Sequence, residues 1–298
     1  MKRYWLFSMF LVFAVLLNAC TAKTESLPYN VRVRLSINNT SNWGEEAIGV
    51  IVVSKNDCLY SPRIIVLDTG CNIESELIAI GYNAFDGSED VADADGHGTV
   101  MIDKLLDMIV YADVVPIKIS DSEEIALEYL LGGLEKAISM HPDVISMSLG
   151  TMIDYPKVAE KIEEAIEQNI VVIAAAGNQG GDKLLYPAGY DDVISVLARD
   201  INNIDVASNN KSESKRSFSA PGVKILVGNE YVTGSSIAVP YVTALISQMI
   251  AVSGKGRLLI AEIENILVDT ALYPTKFSFG LVQYNMAIKE TMDKHAAQ

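Results

Sequence analysis

The chain has 298 residues, of which 50% are hydrophobic and 20% are charged, so it can bury a sizeable core. Its formal net charge is −15, which argues against a nucleic-acid-binding protein because such proteins present a basic surface. An acidic surface fits a cationic partner or solubility alone. The sequence has no internal repeat and no low-complexity run, so we expect one large domain and a monomer.

The first 20 residues have the pattern of a targeting segment. Lys2 and Arg3 precede an apolar run from Trp5 to Leu17, which is short for a membrane span of about 20 residues. We therefore predict a signal peptide over residues 1–20 and export of the rest of the chain. An uncleaved membrane anchor is the alternative.

Short apolar segments alternate with helical patterns beyond a polar tether, which we predict over residues 21–43 with a short strand at Val31–Ile37. One domain is predicted over 44–290 and a polar tail over 291–298. Its strands are predicted at Arg63–Asp68, Val114–Ile119, Val144–Leu149, Ile170–Ala176 and Val193–Leu197, and its helices at Val100–Val110, Ser122–Met140 and Val158–Gln168, after a short helix and strand over 45–53. This alternation predicts an α/β fold with a mainly parallel sheet and helices on both faces.

Three polar residues fall at or just after the carboxyl ends of predicted strands. They are Asp68, Ser148 and Asn178. Ligands of parallel sheets bind beyond these strand ends, because loops of variable sequence meet there. We therefore expect the three side chains to lie along one rim of the sheet.

Only three histidines occur, so a catalytic imidazole is easy to search for. His141 precedes a proline and His295 lies in the polar tail, and we interpret both as structural or solvated. His97 stands between Gly96 and Gly98 at the start of a predicted helix, where glycines allow a close backbone approach. A surface loop histidine is the alternative interpretation.

A glycine and two serines begin the apolar stretch Thr233–Leu245, which predicts a buried helix. A side chain at a helix start lies near unpaired backbone N–H groups, which favour developing negative charge. Ser235 or Ser236 could be a nucleophile there if a base accepts its proton, or it could only cap the helix. Asp68, His97 and Ser236 follow the order acid, base, nucleophile, which favours a catalytic triad.

Three segments resemble the signature segments of the subtilisin-like serine proteases, the subtilases. They are Asp68-Thr69-Gly70, Gly96-His97-Gly98-Thr99 and Gly234-Ser235-Ser236-Ile237-Ala238-Val239-Pro240. Further likeness is found in the cleft strand Val144–Gly150, the oxyanion segment Ala174–Asn178, the turn Tyr186–Ala188, and the landmarks Phe218–Gly222 and Phe279–Val282. The likeness extends from about residue 42 to residue 288.

The resemblance implies a three-layer subtilisin-like fold and an extracytoplasmic serine endopeptidase that needs no organic cofactor and no metal ion in its reaction. It implies Ser236 as the nucleophile, His97 as its base, Asp68 as the group that orients His97, and Asn178 as the oxyanion donor. It also implies that a peptide or protein substrate contacts Ser148, Leu149, Gly150, Ala176, Gly177, Tyr186 and Pro187.

The chain departs from the family pattern after Thr99. A second histidine and Val-Ala-Gly usually follow, whereas this chain has Val100-Met101-Ile102-Asp103, so we expect altered packing around His97. The segment before Asp68 is too short for a large folding prodomain, so residues 21–43 supply a vestige at most. The alternative function is a catalytically silent, membrane-anchored protein that keeps the fold to bind a peptide.

The three cysteines have different expected fates. Leu17-Asn18-Ala19-Cys20 resembles the lipobox of bacterial lipoproteins, although Asn18 departs from the small residue usual there. This implies a lipid anchor on the outer face of the cytoplasmic membrane, or on the outer membrane. Cys58 and Cys71 could form a disulfide, but the strand between them separates them, so we favour free thiols.

An acidic loop precedes His97. Its acids are Asp86, Glu89, Asp90, Asp93 and Asp95. We rank a solvated loop first, a structural Ca²⁺ site second, and recognition of basic substrate residues third, the last with help from Asp182.

Overall fold

The computed structural model describes residues 43–122, 124–254, 256 and 258–296. The predicted signal peptide with Cys20, the strand at Val31–Ile37 and nearly all of the tether lie outside the described residues. The predictions made for them therefore stay predictions.

Ten strands and seven α-helices are found in the described ranges. The strands are β1 Arg63–Asp68, β2 Tyr82–Asn83, β3 Asp113–Lys118, β4 Val144–Met147, β5 Val171–Ala175, β6 Ile194–Arg199, β7 Ser217–Pro221, β8 Ile225–Val227, β9 Glu230–Val232 and β10 Ser278–Leu281. The helices are α1 Trp43–Ala47, α2 His97–Leu106, α3 Leu127–Ser139, α4 Pro156–Glu167, α5 Ser235–Ser253, α6 Ile260–Thr270 and α7 Tyr284–Ala296, with a 3₁₀ turn at Lys55–Asp57.

Eight of these strands form one sheet in the order β10-β7-β6-β5-β4-β1-β3-β2, and every neighbouring pair is parallel. The strands β8 and β9 form a separate antiparallel hairpin. Because β1 lies between β3 and β4, and β4 lies between β1 and β5, the ends of β1, β4 and β5 meet at one edge. This arrangement is the rim that the sequence predicts.

Successive side chains of each central strand point to opposite faces of the sheet, so each strand contributes to two cores. In β1, Ile64 and Val66 pack in the core covered by α2, α5, α6 and α7. Ile65 and Leu67 pack in the other core, which α3 and α4 cover. Helices on both faces of a parallel sheet make three layers, which confirms the predicted α/β fold class.

The helix α5 is the centre of the larger core. All of its residues except Ser236 are buried, and it packs against β4 to β7. By length and composition alone α5 could also cross a membrane, and 94% of its apolar window is buried inside the protein. Since buried core helices have the same composition, this likeness to a membrane span is weak evidence for one.

The starts of two helices and one short strand differ from the prediction. The helix α3 begins at Leu127 instead of Ser122, because Ser120 Oγ donates to Ser122 O at 2.7 Å and to Glu124 O at 2.6 Å. Such side-chain hydrogen bonds compete with the helical ones and hold the segment in a turn. The helix α2 begins at His97, three residues earlier than predicted, and no strand follows α1 over residues 50–53.

Residues 291–296 do not form a separate tail. Residues 291–296 form the last turns of α7, and Thr291 is fully buried, with its hydroxyl donating to Ala287 O at 2.8 Å. The polarity of this segment therefore belongs to the exposed side of an amphipathic helix.

Candidate active site

Asp68 and His97 form a close pair at the rim. Asp68 is the last residue of β1, is 5% exposed, and its Oδ1 lies 2.7 Å from His97 Nδ1. Oδ1 also accepts the Thr69 backbone N–H at 2.8 Å, so it is held as an acceptor. Since an ionised carboxylate can only accept, Nδ1 carries the proton and Nε2 of the neutral ring has a free lone pair.

The start of α2 is packed tightly against the end of β1. A Cβ atom at Gly98 would lie 2.4 Å from Gly70 O and 3.1 Å from Asp68 Cβ, so only glycine fits there. The Gly98 N–H donates to Thr69 Oγ1 at 2.9 Å. Gly98 therefore lets α2 approach β1 closely enough to bring the imidazole within reach of Asp68. Gly96 has open space around it and contributes a left-handed backbone, with a φ of 95°.

Asp93 stabilises this helix start and is not a surface acid. It is 7% exposed, and its Oδ1 accepts the Gly96 N–H at 2.8 Å. Its Oδ2 accepts hydrogen bonds from the Thr99 backbone N–H at 2.8 Å and from the Thr99 hydroxyl at 2.5 Å. Asn72 Nδ2 donates to Asp93 O at 2.7 Å. Asp93 thus caps α2, whose first N–H groups have no intrahelical partner. Asp93 is therefore not part of the solvated loop that the sequence predicts.

The other four acids of the loop are exposed, as a solvated loop predicts. Among the described residues, no group of three or more His, Cys, Asp or Glu side chains could hold a metal ion. The second-ranked hypothesis, a structural calcium site in this loop, is thus unsupported by the described side chains.

The pKa of His97 is raised above its ordinary value. Burial lowers the pKa of this ring, but the hydrogen bond and charge of Asp68, with the charges of Asp95 and Asp93, raise it by more. These carboxylates favour the protonated ring because its positive charge lies close to them. The same charges would stabilise an imidazolium that forms during a reaction.

Ser236 is the one residue of α5 that is not buried. Its hydroxyl donates to Ser148 O at 3.1 Å. Ser236 and His97 are both among the described residues, and no hydrogen bond joins them. Ser236 O would normally accept from the residue four positions later, but Pro240 has no N–H, and Ser148 Oγ donates to Ser236 O at 2.8 Å instead. A hydroxyl has one proton, so Ser236 must release Ser148 O before it can donate to His97.

Ser235 has a structural position. It is fully buried, its Oγ accepts the Gly177 N–H at 3.2 Å, and its own N–H donates to Asn178 Oδ1 at 2.7 Å. A buried hydroxyl that is engaged with the backbone cannot meet a substrate, so Ser236 is the nucleophile candidate.

Asn178 follows β5 and lies against the start of α5. Because Oδ1 accepts a backbone N–H, the orientation of the amide is fixed and Nδ2 is left as a donor. A Cβ at Gly234 would lie 3.0 Å from Nδ2, and the φ of Gly234 is 147°, a conformation that favours glycine. The Ser236 N–H, in the first turn of α5, is the second donor of a potential oxyanion hole.

A pocket of about 180 Å³ opens beside these donors. Its walls come from the ends of β4 and β5 and the start of α5, and no lining side chain is charged. The lining residues are Ser148, Leu149, Gly150, Ala175, Gly177, Asn178, Gln179, Leu185, Ser235 and Ser236.

Four of the seven residues predicted to bind substrate line this pocket, and three do not. Ala176 points away and packs with Leu184 and Leu197. Tyr186 exchanges backbone hydrogen bonds with Thr151, at 2.8 and 2.9 Å, and Pro187, joined to it by a cis peptide bond, is buried behind it. Their neighbour Leu185 forms the wall instead, because its backbone N–H is bonded to Ala176 O.

The described cysteines are both free thiols, as predicted: Cys58 is half-buried and Cys71 is buried. Burial raises the pKa of the Cys58 thiol to about 11 and also raises that of Cys71. Both thiols are therefore protonated and unreactive near neutral pH.

Asp68, His97, Ser236 and Asn178 are all predicted from the sequence, whereas three contacts that support them are not. These are the cap made by Asp93, the bond from Ser148 Oγ to Ser236 O, and the hydrogen bonds of Asn210 to the loop of Asn178. Pro240 was the one available signal, because a proline four residues after Ser236 removes the donor to its carbonyl.

Comparison with known proteins agrees with this geometry. Residues 61–291 match the model of the subtilase family. The chain is 32% identical over 243 residues to "Minor extracellular protease Epr" of Bacillus subtilis, covering 74% of this chain and 38% of that protein. It is 31% identical over 219 residues to "Major intracellular serine protease" of the same organism, covering 62% and 67%. It is 30% identical over 280 residues to "Intracellular serine protease" of Paenibacillus polymyxa, covering 84% and 83%. The chain therefore belongs to the subtilase family of subtilisin-like serine endopeptidases.

Proposed function

We propose that this chain hydrolyses peptide bonds with Ser236 as nucleophile and His97 as general base. The observation that carries the proposal is the 2.7 Å contact between Asp68 Oδ1 and His97 Nδ1, at the same rim as the start of α5. This contact leaves Nε2 of His97 free to accept a proton, which is the one property that a serine nucleophile needs from its base.

The reaction would proceed in two stages. Ser236 Oγ attacks the peptide carbonyl carbon while His97 Nε2 takes the hydroxyl proton, and the oxyanion binds Asn178 Nδ2 and the Ser236 N–H. His97 then protonates the leaving amine, and the C–N bond breaks to leave an acyl-enzyme. In the second stage His97 removes a proton from water, whose oxygen attacks the ester carbon. His97 then returns the proton to Ser236 Oγ as the ester C–O bond breaks and the acid leaves. Asp68 stabilises the imidazolium in both stages.

The pocket beside Asn178 suits an uncharged substrate side chain. Leu149 and Leu185 supply apolar surface, and Gln179 is polar without charge. Burying a charged side chain there would leave it without a partner, which is costly. The exposed acids of the loop before His97 do not line the pocket, so selection of basic residues at this subsite has no support from the lining.

Cleavage of an unfolded protein in ¹⁸O-labelled water tests the proposal. Hydrolysis of an acyl-enzyme places one solvent oxygen in each new carboxyl terminus, which mass spectrometry detects, and the residue before each cut reports the pocket's preference. We expect labelled fragments that end mainly in uncharged residues. The rival function, a silent peptide-binding protein, is favoured by the bond of Ser236 to Ser148 O, and it predicts bound but intact peptide.

The rate should fall at low pH because protonated His97 cannot accept a proton. Since the pKa of His97 is raised, we expect kcat/KM to fall, as pH decreases, at a pH above the ordinary histidine value of 6.5. The Asp95→Asn variant removes one nearby negative charge but keeps the oxygen that accepts the His97 N–H, so its falling limb should move to lower pH. The control Asp86→Asn, on the same loop, should leave the limb in place. An Asp95→Asn profile that superimposes on the unmodified profile would contradict this assignment.

We also propose that the protein is exported and anchored by a lipid at Cys20. The proposal is supported by the signal-peptide pattern of residues 1–20 and the lipobox-like segment Leu17–Cys20. The relatives do not decide it, since their names include both extracellular and intracellular proteases. Incorporation of labelled fatty acid in a bacterial host, and its loss in Cys20→Ala, is the expected result. Full-length protein recovered unlabelled from the cytoplasm would exclude the anchor.

A further inference from the structure

Two adjacent asparagines are buried next to the loop that carries Asn178. Asn209 and Asn210 are 1% and 2% exposed, and neither lies in a helix or strand. A buried amide is tolerated only when its polar atoms are hydrogen-bonded. Both side chains meet this need with backbone groups alone, but they hold different parts of the protein.

Asn210 fixes the peptide groups on both sides of Asn178. Its backbone N–H donates to Gly177 O at 3.0 Å, and its Oδ1 accepts the Gln179 N–H at 2.8 Å. Its Nδ2 donates to Lys183 O at 2.9 Å, so the later part of the same loop is hydrogen-bonded to the same side chain. The residue before Asn178 and the residue after it are thus both bonded to one amino acid.

The amide of Asn210 is enclosed by its surroundings. A Cβ at Gly177 would lie 2.8 Å from Oδ1, and a Cβ at Gly181 would lie 2.9 Å from Nδ2. Both glycines therefore leave room that the amide fills. No other orientation of the side chain satisfies an N–H donor on one side and a carbonyl acceptor on the other.

Asn178 needs this support because it is exposed and lies in a loop after β5. One hydrogen bond, from the Ser235 N–H to Oδ1, orients its side chain. That bond sets the amide plane, but the Cα position depends on the loop. An oxyanion donor works only at about 2.7–3.1 Å from the developing charge, so a shift of the loop would weaken it.

We propose that Asn210 is a positioning residue, which holds the loop so that Asn178 Nδ2 meets the oxyanion in the transition state. This inference rests on the proposed function. Because the oxyanion exists only in the transition state, loss of Asn210 should lower kcat with little change in KM. A residue that only stabilises the fold would lower neither once the protein is folded.

Asn209 provides a matched control beside it. Its Oδ1 accepts the Ala198 N–H at 3.1 Å and its Nδ2 donates to Ala198 O at 2.7 Å, so it clamps strand β6. It has the same side chain, the same burial and the same number of side-chain hydrogen bonds as Asn210. The variants Asn209→Ala and Asn210→Ala therefore lose equivalent interactions from different places.

The test is a double-mutant cycle measured with a peptide substrate on the full chain. Asn178→Ala should lose about 10²–10³-fold in kcat, the figure measured for the oxyanion asparagine of subtilisin, a member of the same family. Asn210→Ala should lose about 10–10²-fold in kcat, as expected for misplacement by a fraction of an ångström to 1 Å. In the Asn178→Ala background, Asn210→Ala should cost less than about threefold, because the donor it positions is already absent.

Two further variants complete the experiment. Asn209→Ala should lower the unfolding temperature about as much as Asn210→Ala does. It should keep kcat within about twofold of the unmodified chain, since it leaves the oxyanion loop untouched. Asn210→Asp keeps an oxygen for the Gln179 N–H but turns a charged oxygen toward Lys183 O, so it should lower kcat as Asn210→Ala does. If Asn210→Ala does not fold, Asn210→Asp replaces it in the cycle.

The proposal is overturned if Asn210→Ala, or its substitute in the cycle, lowers kcat no more than Asn209→Ala does. It is also overturned if the losses at Asn178 and Asn210 multiply in the double variant, because the two residues would then act independently. An unmodified chain that cleaves nothing contradicts the proposed function, and this inference with it. An active chain with either of the first two results contradicts the inference alone.

Discussion

The Ser236→Ala variant should lose about 10⁶-fold in kcat, the scale measured when the nucleophile of subtilisin is removed. Ser236 lies in the first turn of α5, and no other hydroxyl of that helix is accessible. No other side chain of the helix can therefore replace it as nucleophile. Cleavage of a fluorogenic peptide, followed over days to reach the residual rate, measures the effect. Retention of more than about a hundredth of the activity would exclude Ser236 as the nucleophile.

Two serines of the same helix serve as controls for this result. Ser247 is buried and its hydroxyl donates within the helix to Thr243 O, so Ser247→Ala should leave kcat nearly unchanged. Ser235→Ala removes the acceptor of the Gly177 N–H and should slow the reaction, but it should remain several orders of magnitude more active than Ser236→Ala. An inactive Ser235→Ala beside an active Ser236→Ala would mean that the two roles are reversed.

Removal of the buried carboxylate should give the second largest effect. We expect Asp68→Ala to lose about 3 × 10⁴-fold in kcat, the value measured for the triad aspartate of subtilisin. His97 would lose both the acceptor that orients Nδ1 and the charge that stabilises its protonated form. In the Ser236→Ala background the same change should cost almost nothing, because the residues act as a unit. Independent losses would contradict a shared mechanism.

The Asp68→Asn variant separates the two contributions of this carboxylate. Oδ1 accepts both the Thr69 N–H and the His97 ring, so an amide oxygen can take its place and keep the ring oriented. The negative charge is lost, so the pKa of His97 should fall and the low-pH limb of kcat/KM should move to lower pH. An unshifted limb would mean that the charge of Asp68 does not act on His97.

Much of the site could be predicted because its residues stand at boundaries that have local sequence signals. Asp68 ends an apolar run whose bounds match β1. His97 follows Gly96 at one helix start, and Ser236 is the second residue after Gly234 at another. The parallel order of the strands then brings these ends to one rim. Fold class and family resemblance were confirmed for the same reason, since both depend on short, contiguous motifs.

The remaining features depend on contacts between residues far apart in the chain. Ser148 and Ser236 are 88 residues apart, and Asn210 is 31 residues from Gln179, so no local pattern indicates their hydrogen bonds. The resting direction of the Ser236 hydroxyl follows from such a contact. Asp93 was misassigned because an acid in a loop has the same sequence signature whether it is solvated or caps a helix.

Labelling with a fluorophosphonate probe shows whether Ser236 is an activated nucleophile, because the probe reacts covalently with a serine that has a base and an oxyanion hole beside it. The folded full chain is incubated with the probe, digested and analysed by mass spectrometry to locate the adduct. We predict one adduct, on Ser236, absent from Ser236→Ala and present in Ser247→Ala. No adduct on the folded chain, or an adduct on Ser235, would mean that Ser236 is not an activated nucleophile.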